Sequence, residues 1–220
     1  MAIPDGLSFD ELNKLYEAEH EDNLRSMPFE QYFGEMELSR EQKDRRIETA
    51  REIQSFMRLA IMELYYELHE GEYGEYDPSN TIREGYSSLL NRLNIPLTAF
   101  FAAMHVESVA SEIPLSTMMY PDDPYFFSKD RVALIAENEA NSIWNDSEHQ
   151  DAIMSGKTRK TWDAIIDKVT RDTHRDINGV TIPIDEPFQV GDSLMMYPKD
   201  ESMGAGPEEI VNCRCSVSYS

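Results

Sequence analysis

The spacing of apolar residues changes once along this chain, and the change limits the folds open to it. Up to Ile177 the apolar positions mostly recur every three or four residues, the period of a helix with one buried face. After Asn178-Gly179 they alternate: Val180, Ile182 and Ile184, then Phe188 and Val190, then Leu194 to Tyr197, then Ile210 to Tyr219. Alternation is the period of a strand with one face buried. Helices followed by short strands predict an α+β fold. The expected form is a mainly helical N-terminal half followed by a C-terminal domain of two helices and a small β-sheet.

Phe9, Leu12 and Tyr16 predict a short helix over about 8–22, and Pro28 opens a second short element. The clearest helix is expected over 39–70. Ser39 with Gln42 three residues on is a capping box. Ile47, Ala50, Ile53, Met57, Ala60, Ile61, Leu64 and Leu68 form its apolar stripe, and Gly71 and Gly74 stop it. At about 1.5 Å per residue it would be about 48 Å long, longer than its own core needs, which suggests a surface for partners. Residues 80–112 suggest a helix broken at Ile95-Pro96, because proline disfavours helical backbone in the residue before it. Leu97 to Glu112 is apolar nearly all round, so it should be buried or meet a partner. Pro114 to Pro124 reads as a loop. The expected division is 1–127, an acidic helical region for assembly contacts, and 128–220, the α+β domain. Ser128 can cap a helix carrying Val132, Leu134, Ile135, Ile143 and Trp144, and a second helix is expected over 158–177.

Charge narrows the partners. The 220 residues carry 42 acidic and 20 basic side chains, a net charge of -22. Residues 1–77 hold 20 of the acids and 8 of the bases. Such a field disfavours DNA, whose binding needs phosphate neutralisation, and favours basic protein surfaces. Lys157, Lys160, Lys168, Arg171 and Arg175 would share one face of a 158–177 helix and could grip phosphates. Asp167 and Asp172 stand at spacings that would pair with them instead. No leader pattern and no apolar run of membrane-spanning length is present, so the chain is expected to be made in a reducing cytoplasm and to have no membrane partner.

The only cysteines are Cys213 and Cys215. On a strand their Cα atoms would stand about 6.6 Å apart on one face. That is near the limit for a disulfide, and the ring would be strained. Two thiolates on one face could instead give two ligands of a zinc site, with His174 the nearest further ligand in sequence. The plain alternative is two reduced, half-buried thiols and an edge histidine. His20, His69, His105 and His149 form no ligand pattern. No nucleophile elbow, phosphate-binding loop, dinucleotide glycine motif or His-Glu-x-x-His occurs, so no enzyme is compelled and no cofactor is expected beyond a zinc ion at this set.

An ordered set of residues runs from about Arg131 to Tyr219. It comprises Ala136 to Ala140, Lys160-Thr161-Trp162, Asp167, Arg171, His174, Gly179, Phe188, Tyr197-Pro198 with Asp200, Gly204-Ala205, and Val211-Asn212-Cys213-Arg214-Cys215. Together they resemble the phage Mu F-like minor head proteins, the head morphogenesis family. The resemblance implies a bacteriophage minor head protein, associated with the portal and other head proteins, acting in head morphogenesis, DNA packaging or ejection. It implies a place in the virion, in the head interior or at the portal. The alternative is a toxin-like or ADP-ribosyltransferase-like enzyme domain carried by a phage head protein, but no Arg/His-Ser/Tyr-Glu site is evident to carry it.

The thiols give the first test. Titration of the denatured, metal-free protein should find two free thiols. An intact mass two units low, restored by reductant, would contradict this.

Overall fold

A computed structural model describes residues 3, 6–20, 28–69 and 77–220. Eight α-helices and five strands are assigned there: α1 (Phe9–Glu19), α2 (Phe29–Gly34), α3 (Arg40–His69), α4 (Pro78–Leu93), α5 (Val106–Met118), α6 (Lys129–Met154), β1 (Arg159–Asp163), α7 (Asp172–Asp176), β2 (Thr181–Pro183), β3 (Phe188–Val190), β4 (Ser193–Met195), α8 (Pro207–Ile210) and β5 (Ser216–Tyr219). A π-helical turn (Phe101–His105) precedes α5 and a 3-10 turn (Pro124–Phe127) precedes α6. The fold is α+β, as the change of period predicts. The expected stop at Gly71 and Gly74 lies outside the described residues.

Contacts divide the chain into two compact units, each drawn from three segments. One comprises Met1–Met27, Thr49–Asn94 and Ala103–Ala136; the other comprises Pro28–Glu48, Ile95–Ala102 and Glu137–Ser220. The sequence boundary at 127/128 is a different division: by contacts, residues 128–136 go with the first unit and 28–48 with the second.

The first unit is built of helices. Ser8 and Glu11 close a capping box on α1. Phe9 and Leu12 of α1, with Ile53, Met57 and Ile61 of α3 and Ile82 and Tyr86 of α4, are buried. Gly85 is required here: a Cβ on it would stand 2.3 Å from the Phe56 ring. Asn13 receives the Lys129 N–H at 2.7 Å and donates to Phe127 O at 3.2 Å, fixing the start of α6. Pro114, expected in a loop, lies inside α5. Its missing N–H costs one helical bond, and the expected break at 95–96 is where the chain does leave the helix.

The second unit carries the strands. β1 is central in a sheet ordered β2-β1-β5, with both neighbours antiparallel, and β3 pairs with β4 as a hairpin. The helix expected over 158–177 is therefore corrected: its first third is β1 and its last third is the short α7. The apparent helical stripe was misleading, because Ile166 and Val169 are exposed. Thr161 and Trp162 favour a strand, and the Asp167 and Thr170 side chains bond nearby backbone, giving the loop an alternative to helix. The basic face goes with the helix. Lys160 is fully buried and donates to Met196 O at 2.7 Å, while Arg171 and Arg175 donate to the carbonyls of Val211 and Thr170.

His149 of α6 is 3% exposed, beside the rings of Tyr197 and Tyr219. Burial, helped by Lys160, pulls its pKa down to about 4. The unfolded chain takes up this proton near pH 6.5 and the folded protein only near 4. Between those values the unfolded state binds more protons, so acid removes stability, by up to about 3 kcal/mol. Urea unfolding at pH 7 and pH 4.5 should show a clearly smaller loss in His149→Gln than in the parent. An equal loss would remove His149 as the cause.

Candidate functional site

Apart from Ala136, which ends a segment of the first unit, the motif residues named from the sequence fall in the second unit. Trp162 on β1 and Phe188 on β3 are buried and meet edge to face at 5.2 Å. Gly179 takes a positive φ of 76° and donates its N–H to Trp162 O at 2.8 Å. Pro198 offers its carbonyl to Asn145 at 3.1 Å. Asp167 pairs with Arg214, which also pairs with Glu35. Burial opposes the charge on Asp167, but its bonds from Arg214 and Thr170 prevail and bring its pKa down to about 2.

Cys213 and Cys215 do not lie on a strand as expected. The chain turns after α8: Cys213 N–H donates to Ile210 O at 3.2 Å, and Asn212 adopts a φ of 58°. Asparagine tolerates this left-handed backbone better than most residues. The turn brings both sulfurs to His174 on α7. His174 Nδ1 is 3.3 Å from Cys215 Sγ and 3.6 Å from Cys213 Sγ. The three ligand atoms lie within 4.8 Å of one another, and all three residues are buried.

On the other side of the ring, His174 Nε2 stands 2.9 Å from Glu209 Oε2, which also accepts from Thr173 Oγ1 at 2.9 Å. A carboxylate only accepts, so Nε2 carries a hydrogen, and in the neutral ring Nδ1 turns its lone pair to the sulfurs. Gly191 makes room for this pair: at φ 57°, a Cβ there would stand 2.8 Å from Thr173 and 2.9 Å from Glu209. Cys215 hydrogen-bonds Cys213 and holds the latter's pKa well below the usual thiol range, with His174 adding to the effect. The same bond, with burial, pushes Cys215 well above it.

The support of this segment was not foreseen from sequence. Asn138, Asn141, Asn145 and Glu148 share one face of α6 at spacings of three, four and three. Asn138 pairs with Asn212 through two bonds, of 3.0 and 2.8 Å, and accepts from the buried Lys199 at 2.5 Å. Asn141 donates to Cys213 O at 3.2 Å and Cys215 O at 3.4 Å. The acceptor oxygens of Asn141 and Asn145 are in turn held by Arg46, each at 3.2 Å. Arg46 is fully buried and meets both oxygens of Glu148 at 2.8 Å. Tyr32 donates to Cys213 O at 3.3 Å. The one signal available was the row of amides and an acid at helical spacing within an expected helix.

Chemically, buried thiols with an oriented imidazole can hold a soft metal or exchange a proton. At 1–3% exposure they offer no open face to a macromolecular substrate.

A compact α+β unit closed by an Asn-Cys-Arg-Cys turn is thus the class of structure in hand. The model of the family described as phage Mu protein F like protein matches residues 109–218, half of the chain, and the chain belongs to that family. Membership places it among phage head proteins, implies association with the virion, and makes a structural role typical. A curated relative, "NAD(+)--arginine ADP-ribosyltransferase EFV" of Enterococcus faecalis (strain ATCC 700802 / V583), is 31% identical over 88 residues, which are 40% of this chain and 18% of that protein. The chain thus spans less than a fifth of that relative's length. No solved structure matches. Among the described residues, no helix is long and apolar enough to cross a membrane.

Arg46→Met should cost about 1–3 kcal/mol in denaturant unfolding, because it strands the oxygens of Asn141 and Asn145 in the interior and leaves the Glu148 carboxylate to Arg45 and Gln42. A loss under about 1 kcal/mol would show that the buried pair is not needed.

Proposed function

We propose that this chain is a minor head protein that docks on the portal or a neighbouring head protein through its acidic helical region, and acts in head assembly, DNA packaging or ejection. The family match over 109–218 carries this reading. Two features of the helical region support it. Met104, Leu115, Met118, Met119 and Tyr120 are each at least half exposed. Met118 and Met119 follow Leu115 by three and four residues, which puts these three on one side of the end of α5, and clustered exposed apolar side chains mark interaction sites. The 20 acids among residues 1–77 would steer a basic protein surface toward the chain and repel DNA.

We infer no catalytic turnover, since the thiol and imidazole groups that could act as nucleophile and base are buried. An enzymatic role finds support in the name of the Enterococcus protein, but that match covers 18% of it.

The test is a pull-down of the portal by the full chain at two salt concentrations. Met118→Glu with Met119→Glu should weaken capture at least tenfold while leaving the melting temperature unchanged, and higher salt should weaken capture by the parent. Equal capture by parent and variant would overturn the docking face. Consumption of NAD by the purified chain, abolished by His174→Gln, would overturn the non-catalytic reading.

A further inference from the structure

The geometry points to a structural zinc site in which His174, Cys213 and Cys215 are the protein ligands and Glu209 orients the histidine from behind. Nothing in the family match or in the relative's name assigns it.

Four observations carry it. The first is distance. With zinc–sulfur bonds near 2.3 Å and zinc–nitrogen bonds near 2.05 Å, a nitrogen and a sulfur on one tetrahedral ion stand about 3.5 Å apart. His174 Nδ1 stands 3.3 and 3.6 Å from the two sulfurs. The second is tautomer. In the neutral ring, the form that binds a metal, the nitrogen facing the sulfurs is the one without a hydrogen, because Nε2 donates to Glu209. A metal-binding histidine commonly donates its other N–H to a carboxylate, which fixes the ring and raises its basicity. The third is the depth of that support: Glu209 is itself held by Thr173, and both occupy the space left by Gly191. The fourth is chain position. The site joins α7 to the turn before β5, so it would staple the closing strand of a small sheet. Small cores often need such a staple.

Thiolate and imidazole ligands select a borderline-soft ion, which favours zinc over magnesium or calcium. Among the described residues no fourth His, Cys, Asp or Glu joins the set, so these three leave one position of a tetrahedral ion to another ligand. A catalytic cysteine–histidine pair would use the same atoms, but it needs an open approach to the sulfur, and these sulfurs are buried. A redox dithiol would need an unstrained mutual disulfide, which a one-residue spacing disfavours.

The experiment uses the full chain. Elemental analysis of protein purified without chelator should give one zinc per chain. After chelation, Co²⁺ added to the parent protein should give thiolate-to-cobalt charge transfer and the intense visible bands of a tetrahedral ion. Cys213→Ser and Cys215→Ser should each lose the charge-transfer intensity of one sulfur. Glu209→Gln should keep the spectrum but bind Zn²⁺ 10–100-fold more weakly, the effect of removing an orienting partner and not a ligand. If the cysteine variants fail to fold, the parent's cobalt spectrum decides. A parent chain that takes up neither ion while both thiols titrate freely would overturn the site. So would a Cys213–Cys215 disulfide in the purified protein, or zinc retained in full by the double serine variant.

Discussion

The buried guanidinium of Arg46 is the interaction on which the second unit depends. A charge removed from water costs several kcal/mol unless it is paired and fully hydrogen-bonded. Arg46 meets both conditions through the two oxygens of Glu148, the oxygens of Asn141 and Asn145, and the Gln42 carbonyl. The two asparagines thereby lose their freedom to flip. With Oδ1 committed to the guanidinium, each Nδ2 points to the carbonyls of Cys213, Cys215 or Pro198. A residue in the first turns of α3 therefore sets the position of a turn about 170 residues later in the chain. Lysine could not replace it, because a single ammonium lacks the planar fork that meets three side chains at once.

How far the sequence reveals this fold depends on the range of the interactions. The cap of α3 at Ser39 and Gln42, the cap of α1 at Ser8 and the cap of α6 at Ser128 are set within four residues, and the first and last of these were legible. The alternation after residue 179 gave the strands β2 and β3 for the same reason. β1 was not legible. Trp162, Ile165, Ile166 and Val169 imitate a helical stripe, while what makes residues 159–163 a strand is pairing with β5, some 55 residues away. Its buried face holds Lys160 as well as Trp162, and no binary pattern anticipates a buried lysine.

The candidate site divides in the same way. His174, Cys213 and Cys215 could be named as a set because their chemistry is rare in this chain. Glu209 could not, since one acid among 42 carries no distinction until its neighbours are known. Arg46 sits in a run of charges that reads as solvated surface, yet the side chain is wholly enclosed. Asn212 supplies the left-handed turn, Cys213 and Cys215 face the imidazole, and Arg214 points away to Asp167 and Glu35.

Through Asn141 and Asn145, Arg46 holds the cysteine turn closed. The direct measurement is the rate at which Cys213 and Cys215 react with a disulfide reagent in the folded, metal-free protein, for the parent and for Arg46→Lys. At low reagent concentration this rate reports the population of opened turn. A rise of at least tenfold is expected in Arg46→Lys under conditions where circular dichroism shows both proteins still folded. Thiols that react no faster in the variant than in the parent would contradict it.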